Sequence, residues 1–165
     1  AGRHYHLLRK LKRVCDMIVP LTLEDALYLA EHMREIDKRE IRETMRGDDL
    51  AEFAHECVAL DGWCYKDSDG LPVAMMGVAE CWPGVGSGWM VATDDIGRHG
   101  VGITKLAQSL VTDKKWHRIQ AASAAFHDVS HAWLELLGFT RGQTMRQFGK
   151  NKADFIMFEK VVGDV

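Results

Sequence analysis

The pattern of apolar and polar positions predicts helices in the first third of the chain and alternating strands and helices after it. The run VCDMIVPLT predicts a short strand that stops at Pro20, because proline cannot donate the hydrogen bond that continues a ladder. Thr22 then has the position of a helix N-cap, so we expect a helix from about Leu23. Apolar residues follow at helical spacing: Leu27, Ala30, Met33 and Ile36.

Two further helical segments are rich in charge. DKREIRETMRG either continues the first helix or forms a second helix that ends at Gly47. Asp48 or Asp49 has the position of an N-cap for the next helix, LAEFAHECVAL. Opposite charges four residues apart, such as Glu35 and Arg39, are typical of a solvated helix face. This pattern therefore indicates a surface rather than a site.

From Asp61 onward the pattern favours strands. GWCYKDSDGLPVAMMGVAECW predicts a hairpin with its turn at 67–70, PGVGSG predicts another turn, and WMVAT predicts a third strand. The segment ITKLAQSLVTDKKW predicts a helix with one apolar stripe formed by Ile103, Leu106, Leu110 and Val111. HRIQAASAAF then predicts a strand, DVSHAWLELLGF a helix ended by Gly138, and TMRQF and DFIMFEKVV two closing strands.

Composition limits the chain to one ordinary domain. With 165 residues, 47% of them hydrophobic and 27% charged, the chain is long enough for one buried core and too short for two. Its apolar runs are far shorter than the roughly 20 residues that span a bilayer, and its start lacks the apolar region of a signal peptide. Four cysteines without CxxC spacing indicate reduced thiols rather than zinc or disulfides. We therefore expect a soluble, cytoplasmic protein that binds neither a metal nor a membrane.

Charge separates a basic N-terminal arm, residues 1–16, from a single domain, residues 17–165. The net charge is −3, yet residues 1–15 contain five arginines and lysines and no acidic residue. One interpretation is that the arm docks on nucleic acid, on an acidic surface or on another protein. The other is that it leads into the domain and packs on it through Leu7, Leu8 and Leu11.

Three glycines stand between the strand WMVAT and the helix that follows it, in DDIGRHGVGITKLAQSL. Glycine lets a backbone N–H approach a ligand closely, and the first N–H groups of a helix together with its dipole favour an anion. Gly97, Gly100 and Gly102 therefore predict either a phosphate cradle or a tight strand-to-helix turn.

The order of elements and two motifs resemble the GCN5-related N-acetyltransferase (GNAT) superfamily over nearly the whole chain. In that family a Q/R-x-x-G-x-G/A loop holds the pyrophosphate of acyl-CoA at a helix N-terminus. Here Gly97 takes the first position with Arg98 beside it, and Gly100 and Gly102 take the glycine positions. HDVSHAWLELLGF has the length and spacing of the family's N-x-x-A-x-x-(F/Y)-Y-x-x-x-G-F signature. The resemblance implies an α+β fold with a mixed, mostly antiparallel sheet, splayed in the middle, and helices on both faces.

The resemblance also implies an activity, acetyl transfer from acetyl-CoA to an unidentified amine. The residues implied for acetyl-CoA are Val91, Arg98, His99, Gly100, Val101, Gly102, Lys105 and His127, and a side chain at Gly102 is expected to occupy the phosphate volume. The amine must lose a proton before it attacks the thioester, so a base is required. Glu80, Asp94 and His127 are the catalytic candidates by position.

Two departures favour an alternative function. Leu134 stands where the family often has a tyrosine that protonates the departing thiolate, and His127 stands at the frequent asparagine. SHAWLELLGF and HMREIDKREI are similar to tailed-phage GNAT-like proteins, including the internal virion protein A group of T7-like phages. A catalytically silent phage protein, in virion assembly or as a binding module, is thus the alternative. It would lie in the host cytoplasm or the virion and contact a virion or other protein through the basic arm; a homodimer is compatible with either function.

Overall fold

The computed structural model describes residues 17–163. The predicted basic arm, residues 1–16, lies outside the described residues, so both interpretations of it stay predictions. Within the described part, no helix has the length and apolar character needed to cross a membrane.

A seven-stranded sheet forms the centre of the fold, in the order β1-β2-β3-β4-β5-β7-β6. Neighbouring strands are antiparallel except for β4 and β5, which are parallel. The predicted mixed, mostly antiparallel sheet is therefore confirmed. The strands are β1 (Ile18–Pro20), β2 (Trp63–Lys66), β3 (Pro72–Trp82), β4 (Val85–Ala92), β5 (Arg118–Ala124), β6 (Thr140–Met145) and β7 (Phe155–Val161).

Helices cover both faces of this sheet. They are α1 (Leu23–His32), α2 (Glu35–Thr44), α3 (Leu50–Ala59), α4 (Gly100–Val111) and α5 (Asp128–Leu136), with a 3-10 helix (Asp94–Arg98) before α4. Two predicted N-caps are confirmed. Thr22 Oγ1 accepts a hydrogen bond from the backbone N–H of Asp25 at 3.2 Å, and Asp49 Oδ1 accepts one from Ala51 at 2.9 Å.

The two faces bury separate apolar clusters. Side chains alternate along each strand, so Cys64, Met75 and Val91 face α1 and α3. Residues of the opposite parity, among them Met76 and Ile119, pack against α4 and α5. The sheet thus has an α1–α3 face and an α4–α5 face.

The middle of the sheet opens, as predicted. β4 and β5 pair only where Val85, Gly86 and Ser87 lie opposite Arg118, Ile119 and Gln120. Both strands continue for several residues beyond these pairs without facing each other. A wedge-shaped gap therefore separates the last residues of β4 from those of β5.

Two strand boundaries differ from the sequence predictions. PGVGSG is not all turn, because only Pro83 and Gly84 separate β3 from β4. Gly84 makes the reversal with a φ of +86°, which glycine adopts without strain. The sixth strand is Thr140–Met145 rather than TMRQF. Its first five side chains are exposed at the sheet edge, so it carries no apolar alternation that would mark its position.

The predicted apolar stripe of the first helix is confirmed at Ala30 and Met33, which are 2% and 3% exposed, but not at Leu27. Leu29 and Ala26 are fully buried, whereas Leu27 is 38% exposed. The helix also ends early, because Met33 leaves helical geometry and forms a β-bridge with Thr93. DKREIRETMRG therefore belongs to a second helix, α2, which ends at Thr44.

Candidate functional site

A cavity of about 570 Å³ lies at the gap between β4 and β5. Its walls come from both faces of the sheet. α2 and α3 line one end, and α4 and α5 line the other. The cavity therefore joins the two faces through the splayed part of the sheet.

The N-terminus of α4 forms one end of this cavity. Gly97 and Gly100 line it, and an added Cβ at either glycine would meet no atom within 4 Å. The first N–H groups of a helix have no acceptor one turn earlier, and the helix dipole adds positive potential there. This end has the backbone geometry that an anionic group such as a diphosphate requires.

Gly102 lies where α4 packs on β2. A Cβ at this position would lie 2.8 Å from Cε2 and 2.9 Å from Cζ of Tyr65, and it would also meet the tyrosine hydroxyl. The missing side chain therefore lets α4 pack on β2. A side chain at Gly102 would therefore meet Tyr65, and the contact of this glycine with a phosphate stays a prediction.

Four other residues implied for acetyl-CoA lie on or beside this helix. Arg98 and Lys105 are exposed, and neither side chain forms an ion pair or hydrogen bond with the described residues, so both charges are available to an anion. Val101 is 74% exposed. His99 is the N-cap residue but makes no side-chain cap, and its ring lies 5.5 Å from that of Tyr65, outside the cavity lining.

β4 presents backbone groups to the gap. The Thr93 N–H donates to Val73 O on the β3 side, and hydrogen bonds alternate along an antiparallel ladder. Val91 therefore pairs with β3, whereas Met90 and Ala92 direct their N–H groups toward β5. The Ala92 N–H reaches a carboxylate of Asp37, but Met90 faces the open gap. The backbone N–H that faces the gap is thus that of Met90, whereas the predicted Val91 lines the cavity with its N–H directed toward β3.

Asp37 of α2 closes the wide end of the gap from the β4 side. It is 3% exposed and accepts two hydrogen bonds from Arg34 at 3.0 Å, one from the Ala92 N–H at 3.0 Å and one from His127 at 2.8 Å. Burial alone would raise the pKa of this carboxyl group, but the hydrogen bonds from His127 and Arg34 outweigh burial and lower it. Asp37 is therefore a buried, ionised bridge between α2, β4 and α5.

His127 completes this bridge and has no free ring nitrogen. Nε2 lies 2.8 Å from Asp37 Oδ1, and Nδ1 accepts the backbone N–H of Ser130 at 3.3 Å as the N-cap of α5. This pattern fixes the neutral tautomer with its proton on Nε2. Although His127 lines the cavity, the geometry leaves it no donor or acceptor for a pantetheine arm and no lone pair for a general base.

Glu40, one turn after Asp37, closes the gap from the β5 side. Its Oε2 accepts the backbone N–H of Ala124 at 2.7 Å and the Ser123 hydroxyl at 3.2 Å. Its Oε1 takes no hydrogen bond from the described residues, and the side chain lines the cavity. Burial raises the pKa of Glu40, although the hydrogen bonds from the Ala124 N–H and the Ser123 hydroxyl oppose this rise. Glu40 is thus a carboxylate with one oxygen available to a ligand.

Leu134 stands on α5 in the cavity wall, where the resemblance places a tyrosine. It is 7% exposed and offers no proton. The neighbouring Trp133 Nε1 donates to Thr104 Oγ1 at 3.0 Å. Cys57 also lines the cavity, but burial raises its pKa to about 12, so it carries no thiolate.

Two of the three predicted catalytic residues lie away from this site. Glu80 is exposed near the end of β3, Asp94 is exposed in the 3-10 helix, and neither lines the cavity. The residues that sequence reasoning missed are Arg34, Asp37 and Glu40. Asp37 and Glu40 belong to the segment DKREIRETMRG, which was interpreted as a solvated face. Their spacing of three residues was the available signal, since it places them along one side of a helix. In residues 17–163, no three His, Cys, Asp or Glu side chains are grouped as metal ligands.

Comparisons with known proteins identify the fold. No family model and no curated protein sequence matches the chain. Among solved structures, a GNAT superfamily phosphinothricin acetyltransferase from Sinorhizobium meliloti, in complex with acetyl-CoA, matches with a TM-score of 0.68 at 15% identity, over 89% of this chain and 88% of that one. A GNAT-family acetyltransferase from Bacillus anthracis matches with a TM-score of 0.67 at 14% identity, over 88% and 95% of the two chains.

A ribosomal-protein-alanine N-acetyltransferase from Brucella melitensis matches with a TM-score of 0.65 at 20% identity, over 88% of this chain and 99% of that one. At such identities the likeness establishes architecture rather than substrate. The chain therefore has the fold of the GCN5-related N-acetyltransferases.

Proposed function

We propose that this chain is an acyl-CoA-dependent N-acyltransferase that transfers an acetyl group from acetyl-CoA to an amine. The observation that carries the proposal is the cavity through the splayed strands, which has an anion-favouring helix N-terminus at one end and a carboxylate at the other. Such a passage lets a long thioester and an amine meet from opposite faces of the sheet.

The residues present fit the charge of acetyl-CoA. The backbone at Gly97 and Gly100 can approach a diphosphate because no side chain intervenes. Arg98 and Lys105 add charge-assisted contacts from the exposed side. Acetyl-CoA supplies the activated acetyl group, and the Met90 N–H in the gap would donate to the thioester carbonyl as negative charge develops on its oxygen.

The transfer requires two proton movements. The amine nitrogen forms a bond to the carbonyl carbon while the C–S bond breaks, so the amine gives up a proton and the departing thiolate takes one. Glu40 is suited to receive the amine proton, because its side chain lines the cavity beside the gap and its Oε1 takes no hydrogen bond from the described residues. Leu134 leaves α5 without the side-chain acid that the resemblance implies.

Calorimetry on the full chain with acetyl-CoA tests this proposal, together with an assay for free thiol in the presence of amines. The wild type should bind acetyl-CoA. Gly100→Val should weaken binding on the order of a hundredfold, because its side chain projects into the open space at the helix N-terminus. The control is Gly47→Val, where an added Cβ meets only Glu52 Oε2 at 3.6 Å. No binding at millimolar acetyl-CoA, or equal binding by Gly100→Val, would refute the proposal.

A second candidate function is favoured by Leu134. A GNAT-fold protein of phage type without catalysis, acting in virion assembly or as a binding module, needs no thiol acid. The same assays separate the two functions. An enzyme releases thiol when an amine and acetyl-CoA are both present, whereas an assembly protein releases none and copurifies with particles.

A further inference from the structure

The α1–α3 end of the cavity is walled mainly by apolar side chains. Ile41 of α2, Phe53 and Leu60 at α3, Trp89 of β4 and Phe155 of β7 all line it. The indole of Trp89 packs against the backbone at Gly62 and Gly77, since an added Cβ at either glycine would meet its ring. This end therefore favours a ligand with an apolar or aromatic body.

The charges at this end are negative. Glu40 and Glu56 line the cavity with Asp37, and Arg34 is the one lysine or arginine among the described lining residues. Both hydrogen bonds that the Arg34 side chain makes go to Asp37, so its charge is already compensated. A ligand carboxylate or phosphate would find no free cation here, whereas an ammonium group would be attracted.

Glu40 supplies a specific partner for that ammonium group. Two protein donors hold Oε2 in place, and Oε1 takes no hydrogen bond from residues 17–163. A partly buried carboxylate whose second oxygen accepts no protein hydrogen bond is stabilised when a cation pairs with it. The raised pKa of Glu40, caused first by burial, reflects the cost of desolvating this carboxylate.

We propose that the acceptor is a primary amine on an apolar or aromatic body without a carboxylate, bound with its ammonium group on Glu40 Oε1 and its body against Phe53 and Trp89. This inference rests on the proposed function, but amine binding is measurable without acetyl-CoA. It narrows the acceptors of that function to one class of amine. Free amino acids are disfavoured because their carboxylate has no partner, and polyamines because they carry no apolar or aromatic body to pack against Phe53 and Trp89.

The test compares four probes by calorimetry on the full chain, with and without CoA. They are 2-phenylethylamine, 2-phenylethanol, phenylalanine and spermidine. The amine and the alcohol share one shape, so their difference isolates the ion pair, and phenylalanine adds only the carboxylate. We expect 2-phenylethylamine to bind at least about tenfold more tightly than each of the other three.

Two variants test whether Glu40 and Phe53 contact the bound probes. Glu40→Gln keeps an acceptor for the Ala124 N–H, and it should reduce binding of the amine to that of the alcohol. Phe53→Ala should weaken the binding of both 2-phenylethylamine and 2-phenylethanol. Glu35→Gln is the matched control, because this carboxylate lies on the same helix but is 82% exposed, and it should change neither. Circular dichroism checks that each variant is folded.

Several results would overturn the inference. They are equal affinity for amine and alcohol, tighter binding of phenylalanine or spermidine, unchanged amine binding by Glu40→Gln, and no binding of 2-phenylethylamine at millimolar concentration. Failure to bind acetyl-CoA refutes the proposed function instead. The amine preference is read without that ligand, so the two failures are distinguishable.

Discussion

Asp37 and Glu40, one turn apart on α2, accept backbone N–H groups from two strands that do not pair with each other. Asp37 binds the N–H of Ala92 in β4, and Glu40 binds the N–H of Ala124 in β5. Both N–H groups point into the gap, where a continuous sheet would have paired them. One helix therefore satisfies the strand ends that the open sheet leaves unpaired.

This arrangement predicts that Asp37 is essential for stability. Asp37→Asn should lower the free energy of unfolding by about 2–4 kcal/mol, because the amide cannot accept all four hydrogen bonds and leaves Arg34 without its counter-charge. Denaturant titration measures the change. Glu35→Gln on the exposed side of the same helix should alter it by less than about 0.5 kcal/mol. An Asp37→Asn variant as stable as the wild type would contradict the prediction.

The stability difference between the wild type and Asp37→Asn should depend on pH. The pKa of Asp37 is lowered in the folded protein, so its contribution is present above the ordinary value of 3.8 and is lost as pH falls through the folded pKa. The stability difference between wild type and Asp37→Asn should therefore shrink in acid. A difference that grows below pH 3.8 would show that the carboxylate is not the stabilising form.

The contribution of Glu40 to stability should depend on pH in the opposite way. Burial raises its pKa, so the folded state holds this proton more tightly than the unfolded chain. Its stabilising contribution is complete below the ordinary value of 4.5 and is lost as pH rises through the folded pKa. Glu40→Gln should therefore gain stability relative to the wild type as pH rises, while losing amine binding. Urea titrations at several pH values measure this, and a relative loss with rising pH would be the contrary result.

The sequence was informative about the fold because periodicity and capping are local signals. Thr22, Asp49 and the apolar residues of α4 each report their surroundings within a few residues. The order of elements followed from them, whereas the splayed sheet was implied by the resemblance of that order and of two motifs to the GNAT superfamily. β6 was misplaced because an exposed edge strand lacks the alternation that a buried face imposes.

The site was less predictable because its carboxylates act over long sequence separations. Asp37 meets Ala92 and His127, and Glu40 meets Ala124, across 55 to 90 positions. Only tertiary packing distinguishes these acids from those of a solvated helix face. The contact between Gly102 and Tyr65 was not predicted for a related reason, since Tyr65 lies on a distant strand.

Gly102 should tolerate a methyl group less well than Gly100. Gly102→Ala places a Cβ against the Tyr65 ring and should cost about 1–2 kcal/mol, whereas Gly100→Ala at the start of the same helix meets nothing within 4 Å. Thermal or urea unfolding of both variants gives the comparison. Adding Tyr65→Leu should recover part of the loss in a double-mutant cycle. Equal stability of the two alanine variants would mean that α4 shifts away from β2 without penalty.

Leu134 offers a test of whether the missing acid limits the reaction. It stands in the cavity wall beside Trp133, and the adjoining space of about 570 Å³ can take a larger side chain. Under the proposed function, Leu134→Tyr should raise kcat at least about tenfold, because a positioned acid that protonates the thiolate typically contributes a hundredfold or more. Leu134→Phe adds the same ring without the hydroxyl and should leave kcat near the wild-type value. The rate is followed by thiol release with saturating acetyl-CoA and amine. If both aromatic variants raise kcat equally, packing is responsible; if neither does, proton delivery to sulfur is not the limiting step, and water already supplies it.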